Sequence, residues 1–158
     1  MQPTLDVSQQ TEGQTLTELQ DRYHRVRSEL AKQARTARVE AGECPGPAPL
    51  GYRNIVIGSR RTVGIDPTTA PLIIEAFRMA AQRKSSLRKI LTELSPRGLL
   101  GRSGRAMGVS SLQAVLTNPF YAGFIRHRGH LVRGVHQPLI SQSLFDRVQS
   151  RLFRRRCR

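Results

Sequence analysis

Arginine is the residue in this sequence that carries chemistry. Lys and Arg together number 26 against 11 Asp and Glu and four His, a formal charge of +15 at neutral pH, and Arg heavily outnumbers Lys. A guanidinium is a planar fork that matches phosphate oxygens and guanine edges two bonds at a time, so the residue type points to a polyanion such as nucleic acid. The charge is unevenly spread. Residues 1–50 carry six basic and seven acidic side chains, net −1, whereas residues 51–158 carry 20 and four, net +16; those four acids are Asp66, Glu75, Glu93 and Asp146. An Arg-rich composition without a polyanion partner would give the same total, so the placement of the charges along the chain has to separate the two readings.

Four groups of candidates and one single arginine follow. Lys32, Arg35 and Arg38 recur at spacings of three and form a basic stripe on a helix, suited to a phosphate backbone or to a solvated face. Arg53 stands at the start of a β-prone segment. Arg88, Lys89, Arg97, Arg102 and Arg105 lie on or beside two short helices, where phosphate contacts would position the domain. Ser110, Ser111 and Gln113 open the second of those helices and could meet base edges, or Ser110 could cap it. Arg126, Arg128 and Arg133 alternate with apolar residues in a late hairpin. Other chemistries find little support. His127 and His130 have no third ligand nearby in sequence, and Cys44 and Cys157 stand alone without a Cys-x-x-Cys spacing, so no metal and no cofactor is expected. Tyr52 and Tyr121 sit at element boundaries and are expected to anchor a core.

The elements that must position these residues are legible from periodicity. Residues 1–14 are polar and aperiodic, and are expected as a disordered leader. Leu16, Leu19, Tyr23, Val26 and Leu30 then recur at alternating spacings of three and four, predicting a linker or dimerisation helix over residues 15–41, ended by the Gly- and Pro-rich segment that starts at Gly42. A domain over residues 42–153 follows. Leu50–Ile57 and Arg60–Ile65 read as a hairpin around Gly58-Ser59. Asp66-Pro67 reads as the cap and first position of a helix running to Gln82, with no ligand expected at that cap. Ser85-Ser86 caps a helix Leu87–Leu94, and after a basic glycine-rich loop, 97–105, a third short helix spans Ser110–Leu116; the pair is helix-turn-helix-like. Arg128-Gly129-His130 turns a second hairpin. Ser141 introduces a last helix with Leu144, Phe145, Val148, Leu152 and Phe153 on its apolar side, and residues 154–158 form a disordered basic tail. The fold class is therefore α+β, mainly helical, with a long N-terminal helix and one or two short hairpins beside the helical core. No run approaches the ~20 apolar residues of a membrane span, and the first residues lack signal-peptide order, so a cytoplasmic, nucleoid-associated protein is expected.

Five blocks occur in order between Gly42 and Phe153. They are Gly46-Pro-Ala-Pro-Leu-Gly-Tyr-Arg53; Ile65-Asp66 with the helix around Ala70–Phe77; Ser86–Leu94 with Gly98; Leu116-Thr-Asn-Pro-Phe-Tyr-Ala-Gly123; and His136-Gln-Pro-Leu-Ile-Ser141 leading to Leu144–Gln149. On these blocks the segment resembles the recombinase domain of the large serine recombinases, the family of phage integrases and transposon resolvases. It departs from the pattern where family members usually carry a tryptophan ahead of the third helix, since Met107-Gly-Val109 stands there. The resemblance implies a domain that reads attachment-site DNA and is joined to a catalytic domain through a long helix, the position residues 15–41 would occupy. It also implies a serine nucleophile in a Tyr-x-Arg-x-Ser setting among arginines that hold the scissile phosphate. Here the nearest string, Tyr23-His-Arg25-Val-Arg27-Ser28, has Arg27 in the nucleophile's place, so no catalytic residue is assigned, and the cysteine pairs of the family's zinc ribbon are not expected.

The resulting expectation is a DNA-binding recombinase domain that binds double-stranded DNA without cutting it, partnered by a second copy or by a separate catalytic subunit, with no membrane and no small-molecule substrate. A stand-alone regulator that dimerises through the Leu16–Leu30 seam is the alternative. An RNA-associated protein is disfavoured, because aromatic residues make up only 5% of the chain and single-stranded RNA recognition relies on stacking.

Overall fold

The computed structural model describes residues 7–58, 60–82 and 85–156. Its elements run α1 (Val7–Glu40), β1 (Tyr52–Ile57), β2 (Arg60–Ile65), α2 (Ala70–Ala81), α3 (Leu87–Leu94), α4 (Val109–Leu116), a 3-10 turn (Pro119–Ala122), β3 (Phe124–His127), β4 (His130–Arg133) and α5 (Gln142–Arg156). The mixed, mainly helical class expected from periodicity is the one observed. The chain divides into two units, Met1–Ala37 and Arg38–Arg158. In the first, α1 starts at Val7, so helix replaces the expected leader from there, and residues 1–6 lie outside the described residues. Once the apolar seam nucleates a helix, Gln and Glu extend it at little cost even where no apolar period is visible.

The second unit begins with the last residues of α1, where Val39 is buried. Gly42 adopts φ +74 and its N–H bonds the Val39 carbonyl at 2.8 Å, ending the helix in the left-handed conformation that glycine alone adopts freely. The β1–β2 hairpin pairs Tyr52 with Ile65 through Ile57 with Arg60. It is tied to α2 by the Asp66 carboxylate, which accepts from the Thr69 hydroxyl at 2.5 Å and the Thr68 N–H at 3.1 Å, while the Thr69 oxygen accepts from Gly51 N–H at 3.1 Å. The Thr69 hydrogen bond holds the Asp66 carboxyl below its ordinary pKa. The cap expected at Asp66 is thereby corrected: residues 67–69 form a turn, Thr69 is the N-cap and the helix starts at Ala70.

Ser86 caps α3 as expected, accepting from Lys89 N–H at 3.1 Å. The helix-turn-helix-like core is α3 packed on α4, both resting on α2, but residues 95–108 connect them where a helix-turn-helix has a turn of three or four residues. That connection is itself organised, with Leu99 buried, an antiparallel bridge between Leu100 and Ala106, and a Gly101 N–H to Arg105 carbonyl bond of 2.7 Å. Met107 is buried in the core. Gly108 rather than Ser110 is the N-cap of α4. In the second hairpin Arg128 (φ 47) and Gly129 (φ 85) both take positive φ, the geometry of a two-residue primed turn. Helix α5 packs Phe145 and Val148 into the core and reaches the open ends of two other helices: Gln149 donates to the Leu116 carbonyl at 2.7 Å, and Arg151 donates to the carbonyls of Ala80 at 2.8 Å and Ser85 at 2.9 Å. Two expectations fail here. Phe153 is 61% exposed, because it lies off the face that carries Phe145 and Val148, and the helix continues to Arg156 through the stretch assigned to a tail. Residues 157–158 lie outside the described residues.

The core centres on an aromatic layer. Tyr121, 1% exposed, donates to the Leu50 carbonyl at 2.8 Å, and Tyr52 donates to the Gln137 carbonyl at 2.8 Å. Both rings are core anchors, and burial raises both hydroxyls far above the ordinary phenol pKa. His136 stacks on Phe120 with ring centres 3.7 Å apart and meets Tyr52 edge-on at 5.7 Å. Its Nε2–H donates to the Phe120 carbonyl at 2.7 Å, while Nδ1 is buried without a partner. Desolvation lowers its pKa below the ordinary imidazole value, so the folded ring stays neutral where the unfolded one, titrating near ~6.5, takes up a proton. The stability that His136 contributes is complete above that pH and is lost as pH falls from there towards the folded pKa. Thermal melts from pH 7.5 down to pH 5 should therefore show Tm falling with acidification in the wild-type chain and a shallower fall in His136→Phe. Equal slopes for the two would assign the acid sensitivity to other groups.

Candidate nucleic-acid interface

Each of the fifteen candidate side chains is exposed, so none is consumed by the core. They do not form one cluster by element. Lys32 and Arg35 lie on α1 in the first unit and Arg38 in the second. Lys32 pairs with Glu29 at 3.4 Å and Arg38 with Glu43 at 3.4 Å, so two members of the stripe have acidic neighbours. These exposed pairs are worth well under ~1 kcal/mol and would yield readily to a phosphate.

The next two groups lie on the packed helices α3 and α4 and on the loop between them. On α3 the apolar side chains of Ile90 and Leu94 are buried, which turns Arg88 and Lys89 outward; Lys89 pairs with Glu93 at 3.8 Å across one turn. On α4 Leu112 and Leu116 are buried, and Ser110, Ser111 and Gln113 remain on the open side together with Ala114. With Gly108 capping the helix, the serine hydroxyls are not needed for the cap and stay on the surface of the first turn. A short helix whose open face carries small and amide side chains fits closely against a groove, and a Gln amide can pair with adenine by two bonds.

The loop before α4 splits the arginines. Arg97 and Arg105 are exposed, but Arg102 donates through Nη2 to the Ala48 carbonyl, clipping the loop to the proline-rich segment. In the second hairpin, Arg126 stands across from Leu131 and Arg133 across from Phe124, so the two arginines are diagonal neighbours on one face. The opposite face, with Ile125 buried and Val132 half-buried, packs inward. Arg128 occupies the turn, and Arg53 lies opposite Gly64 in the first hairpin. Among the described residues, no three His, Cys, Asp or Glu side chains gather in a metal-binding arrangement, and no helix is long and apolar enough to cross a membrane.

Periodicity does not single out Gln149 or Arg151, whose role is to cap the C-termini of other helices. Polar residues on an amphipathic helix read as a solvent face, and only the tertiary packing of α5 on α2 shows that they reach carbonyls. The division of labour among the loop arginines is testable. Arg102→Ala should lower stability by ~1 kcal/mol, about 2–4 °C in Tm, whereas Arg97→Ala and Arg105→Ala should leave Tm unchanged. A melt of Arg102→Ala that overlays the wild-type curve would remove Arg102 from the structural set.

The geometry can be set beside known proteins. The sequence profile of the Recombinase family matches residues 67–155, from the turn before α2 to the end of α5. The chain is similar to the protein in the crystal structure of an LSR–DNA complex, with 25% identity and a TM-score of 0.62 over 77% of this chain and 37% of that one. It is also similar to the protein in a structure concerned with the sequence requirements of the Listeria innocua prophage attP site, with 24% identity and a TM-score of 0.63 over 77% of this chain and 50% of that one. The chain thus spans half or less of the solved chains it matches, and no curated protein matches it. With more than half of its residues under the family profile and the same fold recurring in those structures, the chain belongs to the Recombinase family.

Proposed function

We propose that this chain is the DNA-binding recombinase domain of a site-specific serine recombinase and that its partner is duplex DNA. The observation that carries the reading is the net charge of +16 on residues 51–158, displayed on exposed arginines over a fold shared with a protein solved on DNA. Arg88 and Lys89 of α3, Arg97 and Arg105 of the loop, and Arg126, Arg128 and Arg133 of the second hairpin contact phosphates. Ser110, Ser111 and Gln113 of α4 face base edges. The chain binds duplex DNA and leaves it uncut, because no serine occupies a Tyr-x-Arg-x-Ser setting: the string from Tyr23 places Arg27 there.

Gel shifts of attachment-site, random-duplex and RNA probes over a salt series test this reading. Binding to duplex should weaken steeply with salt, and Arg88→Ala/Lys89→Ala should weaken every duplex while flattening the log–log slope by up to ~1.8, since each neutralised phosphate contributes ~0.9. Equal affinity for RNA would overturn the DNA assignment, an unchanged slope would return Arg88 and Lys89 to the solvated face, and nicking of supercoiled plasmid by the pure chain would overturn the claim that it does not cut.

The first unit suits a second copy of the chain. Leu16, Leu19, Tyr23, Val26 and Leu30 are exposed along one stripe of α1 with the a/d spacing of a coiled coil. In a parallel pair Arg22 would face Arg27 of its mate, whereas an antiparallel pair sets Arg22 against Glu29 and is the arrangement the charges favour. Light scattering should give a dimer for the wild-type chain and a monomer for Leu19→Glu/Val26→Glu. A wild-type monomer at micromolar concentration would leave the seam to a separate catalytic subunit.

A further inference from the structure

The β1–β2 ribbon ends in a feature that neither the core nor the candidates above use. Its base is fixed: Tyr52 and Val63 are buried, and the Asp66–Thr69–Gly51 hydrogen bonds hold the foot of both strands. Its tip is not covered. Val56 is 67% exposed and Ile57 65%, and they point to opposite faces because successive strand residues alternate. The register sets Arg61 across from Val56 and Arg60 across from Ile57. Between Glu43 and Asp66 the sequence carries Arg53, Arg60 and Arg61 and no acid at all. A ribbon with two buried faces would hide both aliphatics and one with a single buried face would hide one of them; this one displays both, beside arginine positions.

We infer that the tip of this ribbon is a minor-groove wedge: Val56 and Ile57 press between base steps of bound duplex DNA, and Arg60 and Arg61 follow the flanking phosphates. The inference rests on the duplex-DNA reading above and adds a second contact region to it. Apolar side chains that enter the minor groove unstack a step and bend the duplex, and the bend brings more backbone against the protein. The narrow groove concentrates negative potential, which suits arginine positions on the strand paired with the apolar residues. Exposed aliphatics alone would fit any apolar partner; the acid-free run of 22 residues from Cys44 to Ile65 selects a polyanion.

The test uses the full chain and a short duplex labelled at both ends for energy transfer. Wild-type binding should shorten the end-to-end distance. Val56→Ser/Ile57→Ser should keep the wild-type Tm, since neither side chain is buried, yet bind about tenfold more weakly, lose the bend and retain the salt slope. Arg60→Ala/Arg61→Ala should instead flatten the salt slope by up to ~1.8. A serine variant that binds and bends like wild type overturns the wedge while leaving the DNA reading intact. Replacing thymine by uracil distinguishes the grooves: if that change reproduces the loss seen with the serine variant, the aliphatics contact major-groove methyls and the wedge is wrong. Failure of the wild-type chain to bind any duplex defeats the parent reading and the wedge together.

Discussion

The architecture of the second unit depends on the hydrogen bonds of Tyr121. Its hydroxyl donates to the Leu50 carbonyl at 2.8 Å, and its own carbonyl accepts from the Leu139 and Ile140 N–H groups at 3.0 and 3.1 Å. One residue in a short 3-10 turn thereby joins the segment that leads into the first hairpin to the segment that leads into α5. The turn is set up locally by Asn118, whose side chain accepts from Phe120 N–H at 3.1 Å, and by Gly123, whose φ of +92 lets the chain reverse into β3. The Leu139 and Ile140 bonds use the main-chain carbonyl at this position, whereas the Leu50 carbonyl depends on the tyrosine side chain itself, whose loss would cost ~1–3 kcal/mol. The stacked His136–Phe120 pair and the Val135 N–H bond to the Gly42 carbonyl at 3.0 Å extend the same arrangement to the end of α1.

That aromatic layer explains how so basic a unit can be compact. The charges that repel one another are kept at the surface, and burial falls to uncharged groups: tyrosine hydroxyls, a neutral imidazole, aliphatic side chains and Met107. The few acids are spent locally, Glu75 on Arg78 at 3.9 Å, Glu93 on Lys89 and Asp66 on Thr69. Arginine serves two purposes in this setting. Arg102 and Arg151 direct guanidinium donors at backbone carbonyls, where a planar fork satisfies groups that helix and loop geometry leaves open. The other candidate arginines lie at the surface, where a phosphate can reach them.

Much of this was legible in the sequence. Ser86, Leu87, Ile90, Leu91 and Leu94 announce α3 because the cap chemistry and the apolar period agree, and the second hairpin follows from Arg128-Gly129 between alternating residues. What was not legible came from tertiary hydrogen bonds. Asp66-Pro67 has the composition of a helix start, but Asp66 is drawn into the Thr69–Gly51 bonds and the helix opens three residues after Pro67. Gly108 takes the cap, which was one of the two readings open for Ser110, since a backbone in the extended region at residue 108 (φ −81, ψ 163) places the helix start before the serines. Residues 97–105 read as a glycine-rich loop, and nothing local reveals that Arg102 ties it to Ala48, 54 residues away in sequence.

The same distinction separates what the candidate interface owes to composition from what it owes to the fold. Composition places 20 basic residues after Gly51 but does not say which are free to meet a partner. Packing decides that one side chain at a time. The buried stripe of α3 turns Arg88 and Lys89 outward, the buried Ile125 turns Arg126 and Arg133 to the opposite face of their ribbon, and α5 consumes Arg151 within the structure. A basic protein shaped only by composition would scatter its structural and exposed arginines without regard to element. Here the candidate arginines fall on the open faces of helices, of two ribbons and of the loop before α4, and Arg102 and Arg151, which bind carbonyls, fall where a loop or helix needs a donor. Surface charge and core are thus specified by different residues, which lets residues 51–158 carry their +16 with no charged side chain buried among the described residues.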